Sequence, residues 1–277
     1  MRNRTARIGV ARPREPMNRA YAEGLVIATF SERPDLLGRV FGPEIQSAVP
    51  EFMRHDPAGA LYYSDRILDG YREYGLVAVH PTEPDRPIAR AFSVPFAFCD
   101  GTVGRDELPD GGWDEVIRWA HQDRAAGRRP TAVSALEIMV APRLQRHGIA
   151  QRMLYAMRDN TRRLSFSVLY APLRPTEKEK EPATPFADYV RRRRADGLPF
   201  DAWIRTHVRV GAEVIKIAPR SMVVAGSIAE WQDWSGLEFR ESGLATVPGA
   251  LCPIHVSLEQ NHAVYVEPNL WLRHSIA

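Results

Sequence analysis

The stretch LEIMVAPRLQRHGIAQRML, residues 136–154, decides how the rest of the chain is read. It begins as the end of an apolar strand over residues 132–140, passes through a basic turn at 142–147, and continues as an amphipathic helix over 148–163. The turn has the pattern Gln145-x-x-Gly148-x-Ala150. First-turn N–H groups of a helix lack partners within the helix and sit at the positive end of its dipole, so this junction suits a diphosphate. Gly148 lets a phosphate approach the backbone, Ala150 adds no bulk there, and Arg143 and Arg146 supply positive charge. Neither a Gly-x4-Gly-Lys-Ser/Thr loop nor a Gly-x-Gly-x-x-Gly fingerprint is present, which excludes a Walker A loop and the usual dinucleotide turn.

Working outward toward the C-terminus, the pattern predicts a strand over 164–173, a charged, proline-rich loop over 174–185 and a helical piece over 188–194. A helix over 201–210, closed by Gly211, leads to a strand at 213–217 and then to short strands that include 222–225 and 263–266. Toward the N-terminus, a helix opens after Leu108-Pro-Asp-Gly and reaches about residue 126, preceded by a hairpin of 74–80 and 88–98 around the turn-rich 81–87. Helical segments are expected at 19–29, 36–53 and 64–73, after a proline-spaced, arginine-rich leader over 1–19. With no repeat and no Gly/Ser linker, the chain reads as a single elaborated domain: the leader, a core over about 20–225 and a C-terminal β extension over about 226–277.

The 277 residues are 44% hydrophobic and 26% charged, a globular composition with enough length for a sizeable core. Two cysteines, Cys99 and Cys252, exclude a disulfide scaffold, and the absence of CxxC and HExxH spacings speaks against a zinc site. His255 and His262 lack a matching ligand set, so no metal is expected. No apolar run is long enough to span a bilayer and the leader has no apolar segment, which predicts no membrane association and a reducing cytoplasmic location. A net charge of +3 is too small to indicate nucleic-acid binding. All but three of the basic residues are arginine, a bias that a GC-rich genome explains and that also supplies forks for phosphates or carboxylates.

The strand, turn and helix around Gly148 resemble the pyrophosphate signature Gln/Arg-x-x-Gly-x-Gly/Ala of the GNAT acetyltransferases. A second landmark agrees: many members carry a helix reading Tyr-x-x-x-Gly-Phe, and here His207-Val-Arg-Val-Gly211-Ala212 keeps the spacing with histidine in place of tyrosine. The longer subgroup that includes the GNAT-like loading domains of polyketide synthases is more similar still. Its Arg-Pro after a strand and its Arg-x-His-x-x-x-Gly-Ala helix look like Arg174-Pro175 and Arg205 to Ala212. The resemblance implies a mixed α/β (α+β) fold with a mostly antiparallel central sheet, helices on both faces and an extra C-terminal β extension. It implies acetyl-CoA or another acyl-CoA as co-substrate, lying between the strands that flank the helix at Gly148. The contacts would come from Met139, Val140, Gln145, Arg146, His147, Gly148, Ile149 and Ala150.

In the reaction so implied, an acyl group passes from the thioester to a small-molecule amine. His207, with an ordinary pKa near 6.5, would protonate the departing thiolate, and Glu137 would take a proton from the attacking nitrogen. Each has a plain alternative, a helix-end histidine and an exposed strand carboxylate. Arg220 is a candidate for a substrate carboxylate and Thr176 for a hydroxyl partner of His207. The run Arg191 to Arg194 is either a solvated face or a phosphate-binding surface, and the six tryptophans either line an acceptor pocket or anchor the core. Two other reactions suit the same fold: decarboxylation of malonyl-CoA or acyl transfer to a carrier-protein thiol, and transfer from an aminoacyl-tRNA donor. The strands after residue 221 would serve either the acceptor site or a homodimer contact.

Overall fold

The computed structural model describes residues 19–99, 101 and 103–276, so the leader lies almost entirely outside the described residues. Helix α1 (Arg19–Glu23) ends before Gly24, and strand β1 (Val26–Thr29) follows. Short helices α2 (Pro43–Gln46), α3 (Pro57–Tyr62) and α4 (Asp65–Asp69) lead to a hairpin of β2 (Leu76–His80) and β3 (Glu83–Phe96). Then come α5 (Gly112–Ala125), β4 (Ala132–Val140), α6 (Ile149–Arg163) and β5 (Val168–Leu173). Helices α7 (Phe186–Arg191) and α8 (Ala202–Arg209) precede β6 (Glu213–Gly226), α9 (Ile228–Ser235), β7 (Gly243–Ala245), β8 (Ile254–Ser257) and β9 (His262–Ser275).

The strands form one open sheet in the order β1-β2-β3-β4-β5-β9-β8-β7, and β6 lies along the other edge of β9. Every pairing is antiparallel except β4 with β5, which are joined through α6 as a parallel crossover. Ile149, Met153 and Met157 of α6 fall four residues apart and bury one stripe against β2, β3 and β4. On the same face, Ile204 of α8 and Tyr189 of α7 pack on Ala171, Leu173, Leu270 and Leu272 of β5 and β9. The opposite face carries the largest apolar cluster, which joins α3, α5 and α9 to both halves of the sheet. Within it Phe52 stacks on Trp231 at 5.6 Å and meets Tyr265 edge-on at 5.1 Å, tying the N-terminal helices to the C-terminal extension. Side chains of this size stabilise by about 2–3 kcal/mol each when buried.

The predicted elements differ from the observed ones mainly where tertiary pairing overrides local pattern. The helix expected over 19–29 stops at Glu23, because Val26–Thr29 pairs in register with β2. The helix expected over 36–53 breaks into single turns at Gly42-Pro43 and Pro50, and 64–73 shortens to α4 and a 3-10 turn. The strand expected from 164 starts only at Val168, after Ser165 in the left-handed region. The two strands predicted at 213–217 and 222–225 are one continuous β6 with a bulge between Ala218 and Met222, and 263–266 is part of the fourteen-residue β9. Thus the last strand of the extension is interior to the sheet, and the added pieces are α9, which the sequence reading missed, and the β7–β8 hairpin.

Candidate active site

Strands β4 and β5 pair at two positions, Val133 with Leu169 and Ser134 with Tyr170, and then separate. Beyond them the facing edges, residues 135–140 of β4 and 171–173 of β5, have no strand partner among the described residues. The divergence coincides with a bulge: β3 pairs Phe92 with Glu137 and Ser93 with Ala135, which leaves Leu136 as an extra residue. The Trp113 indole N–H fixes this kink by donating to the Leu136 carbonyl at 2.9 Å, and Trp113 N–H in turn donates to Ser221 Oγ at 2.8 Å. Ala135, at the apex of the split, packs against both the α6 and the α8 clusters.

The mouth of the split leads to the start of α6. Gly148 is its N-cap at φ 80°, a left-handed conformation that favours glycine, and nothing lies within 4 Å of where a Cβ would be. The Arg152 N–H bonds back to the Gly148 carbonyl at 3.1 Å, so the N–H groups of Ile149, Ala150 and Gln151 have no acceptor in the helix. Arg146 is also left-handed, at φ 68°. The Gln145 amide donates to the Val140 carbonyl at 3.2 Å and so ties the turn to β4. Gln145, Arg146 and Gly148 are exposed, His147, Ala150 and Met139 half-buried, and Val140 and Ile149 buried. Arg143 is paired with Glu44, whereas Arg146 lies close enough to Glu177, at the start of the insertion, to act on its charge. Lys178, wholly buried, anchors that insertion by donating to the carbonyls of Leu251 and Glu181 at 2.6 and 2.7 Å.

His207 is placed by α8, whose N-cap Asp201 accepts from the N–H groups of Trp203 and Ile204 at 2.9 and 3.0 Å. The other Asp201 oxygen accepts from Tyr189 Oη and Glu177 N–H, both at 3.0 Å. The imidazole is buried, edge-on to Trp203 at 4.5 Å, and its Nδ1 lies 2.9 Å from Nε2 of His274 on β9. Burial, and then the neighbouring His274, hold its pKa well below the ordinary histidine value; burial and Arg158 take His274 down to about 4. Both rings are therefore neutral at pH 7, unlike the half-titrated histidine that the sequence suggests.

Glu137 points to the other face. Its Oε1 accepts from Arg90 Nε at 2.5 Å, and Arg90 also donates to the Val40 carbonyl and Gln46 Oε1, both at 2.9 Å. Rather than an exposed strand carboxylate, Glu137 is half of a nearly buried ion pair, with side-chain exposures of 2% for Arg90 and 14% for Glu137. Tyr63 lies against this carboxylate, and burial and Glu137 raise its pKa well above the ordinary tyrosine value. Nearby in the same face, Asp56 caps α3 and abuts Asp114 of α5; burial, reinforced by Asp56, pushes the Asp114 carboxyl up to about 8.

Several candidates lie elsewhere. Arg220 is exposed and lines, with Asp110, Glu115 and Lys216, a cavity of about 500 Å3 that includes no residue of β4 or β5. Thr176 is exposed beside Glu177, at the Asp201 end of α8 rather than the His207 end. Arg192 pairs with Glu181, Arg191 with Asp188 and Arg194 with Asp196, while Arg193 donates to the Val190 carbonyl. Trp231 and Trp271 are core residues; Trp113 and Trp203 touch the site. No group of three metal-ligating side chains and no helix long and apolar enough to cross a membrane occurs among the described residues. Sequence reasoning missed Arg90, His274 and the pairing, at 3.0 Å, of half-buried Arg174 with buried Glu267. A charge inside the apolar run Ile88-Ala-Arg-Ala-Phe was the one available signal for Arg90.

An alignment covering 91% of this chain and 94% of the other protein gives 31% identity to the arginine N-acetyltransferase avaD of Aspergillus versicolor. Among solved structures, the loading GNATL domain of CurA from Lyngbya majuscula is similar with a TM-score of 0.53 and 13% identity, over 91% of this chain and 96% of that one. The GphF GNAT-like decarboxylase in complex with isobutyryl-CoA gives a TM-score of 0.46 and 14% identity, over 91% and 99%. No family model matches the chain.

Proposed function

The chain belongs to the GNAT superfamily, an acyl-CoA-dependent N-acyltransferase acting on a small-molecule amine, and from that premise we propose that acetyl-CoA lies in the β4–β5 split and that arginine is the acceptor. The observation that carries the reading is the split itself: two strands held together for two residue pairs, then parted at the turn where α6 presents unpaired N–H groups. On this reading the pyrophosphate sits on Gln145 to Ala150, and Met139 and Val140 offer their free strand edge to the pantetheine arm. The choice of arginine and of acetyl rests on the avaD likeness. We place the enzyme in the cytoplasm and in a biosynthetic role, and read the chain as one functional unit.

The chemistry divides between the two faces. The amine attacks the thioester carbonyl; its nitrogen gives up a proton as the sulfur gains one. Glu137, on the face opposite α8, takes the first proton, from the substrate ammonium, and so frees the amine to attack; the second leaves the tetrahedral nitrogen for sulfur, and Arg90 keeps the carboxylate in place. His207, neutral and sealed by Trp203, is the hydrogen-bond partner of the departing sulfur through its unpaired Nε2. Backbone N–H groups at the parted edge of β4 stabilise the oxyanion. Arg220 and Thr176 lie outside the split and are given no part in this step. The pairing of Arg191, Arg192 and Arg194 with carboxylates leaves little free charge for a tRNA donor.

Calorimetric titration with acetyl-CoA, followed by thiol release on adding arginine, tests this. Micromolar binding and acetylarginine formation are expected, with His207→Ala lowering kcat on the order of 100-fold. Absence of acetyl-CoA binding would overturn the assignment. Carbon dioxide released from malonyl-CoA without an amine would replace it with the decarboxylase reading.

A further inference from the structure

Three of the buried polar atoms without a hydrogen-bond partner among the described residues fall on side chains next to one another: His207 Nε2, His274 Nδ1 and Arg158 Nε. They come from three elements, α8, β9 and α6. Arg158 reaches β9 with Nη2 3.5 Å from the Ser275 carbonyl, one residue from His274, and its charge acts on the His274 ring. His274, wholly buried, holds its Nε2 2.9 Å from His207 Nδ1.

We propose that Arg158 and His274 are positioning residues that fix His207 in the tautomer carrying its proton on Nε2, so that it meets the substrate as a hydrogen-bond donor and not as a base. This rests on the assignment of His207 to the split given above. The contact between two neutral imidazoles admits two arrangements, because either ring can be the donor. If His207 Nδ1–H donates, His274 must carry its own proton on Nδ1, the nitrogen left to the field of Arg158 once Nε2 is engaged with His207, and that guanidinium is always protonated and has only donors to offer. If His274 Nε2–H donates, Nδ1 of His274 keeps a lone pair in the field of the cation, and His207 is left with Nε2–H free. Charge and hydrogen-bond polarity both select the second. The orienting logic is that of a second-layer group that sets the tautomer of a functional histidine.

The arrangement also explains why two neutral rings are packed in series. A histidine lone pair aimed at a departing thiolate would repel it; an N–H stabilises it, with the proton that finally resides on sulfur coming from the attacking nitrogen. No proton leaves His207 in this scheme, so neither ring needs to titrate.

Nitrogen-15 NMR of histidine-labelled wild-type protein reads the tautomer directly. The expected result is a protonated Nε2 and a bare Nδ1 on His207; the reverse assignment overturns the proposal without any variant. In kinetics with acetyl-CoA and arginine, His274→Leu is expected to lower kcat on the order of 100-fold with little change in the KM for acetyl-CoA. His274→Gln, whose amide can donate from nearly the same place, recovers most of the loss, and Arg158→Met gives mixed tautomers with an intermediate kcat. Full activity of a folded His274→Leu would overturn the proposal. If His207→Ala itself retains full kcat while the NMR tautomer is as expected, it is the role assigned to His207 that fails, and the tautomer assignment stands.

Discussion

Replacing Glu137 with glutamine, with Arg90 left in place, should weaken the fold and slow the enzyme together, and a paired substitution should separate the two effects. Arg90 is 2% exposed and Glu137 14%. The guanidinium is hemmed in by the Phe41 ring, 4.8 Å away, and keeps the Val40 carbonyl and Gln46 Oε1 when the carboxylate is gone. Removing one member of a buried pair strands the other charge at about 3–5 kcal/mol. Glutamine retains an acceptor oxygen toward Arg90, which puts Glu137→Gln at the low end, about 3 kcal/mol. With a urea slope of about 3 kcal/mol/M, the unfolding midpoint should fall by about 1 M. The double variant Arg90→Met with Glu137→Leu replaces both charges by apolar groups and should stay within about 1.5 kcal/mol of the natural protein. Its kcat should nonetheless remain down by about 100-fold, because the proton acceptor is missing. A Glu137→Gln protein that melts at the natural midpoint would refute the energetic argument, and a double variant with natural turnover would leave Glu137 only the task of neutralising Arg90.

Three further outcomes are expected. Gly148→Ala places a side chain at φ 80° with open space around it, so strain should be limited to about 1–2 kcal/mol, while the Kd for acetyl-CoA measured by calorimetry should rise about tenfold or more as the methyl group blocks the turn. Stability should fall as pH rises because the folded Asp114 carboxyl is raised to about 8, above its unfolded value: its contribution is complete below the unfolded pKa and is lost as pH climbs through about 8. Asp114→Asn should flatten that decline, whose slope is at most about 1.4 kcal/mol per pH unit for one proton, and denaturation from pH 5 to 9 reads it. Trp113→Phe strips the hydrogen bond from the Leu136 carbonyl at the bulge; a loss of about 1–2 kcal/mol in stability is expected, with faster amide exchange in residues 135–137, and an unchanged exchange rate would count against the indole as the pin of the split.

Much of this architecture was legible along the chain because its signals are local. Gly148 has to be glycine for a backbone reason, and the strand, turn and helix around it follow in immediate succession. The helix over 201–210 could likewise be read from Asp201 and Gly211 at its ends, since capping is decided within a turn. The environments of the catalytic candidates were not local. Nothing near His207 in sequence predicts His274, which arrives only because β9 inserts beside β5. Arg90 and Glu137 are brought together by the register of β3 on β4, and a bulge moved that register by one residue. A lone histidine or arginine within an apolar strand announces that a partner exists, but its identity is a property of the topology.

The position of β9 has a consequence for how the chain reaches this structure. One strand serves β5 and β8 on one side and β6 on the other; β8 is its hairpin neighbour, but β5 and β6 are contributed by segments well upstream in sequence. Until β9 enters, β5 and β6 exist as open, largely apolar edges, the condition in which strands recruit the wrong neighbour. Loop closure on this scale is slow, and it delays the second half of the sheet relative to the antiparallel β1–β4 meander, which can assemble without it. Folding should therefore pass through a stage in which the first half-sheet is protected and the second is not, with aggregation from that stage as the principal hazard of expression. The same insertion brings His274 under α8, so His207 acquires its partner only once β9 is in place.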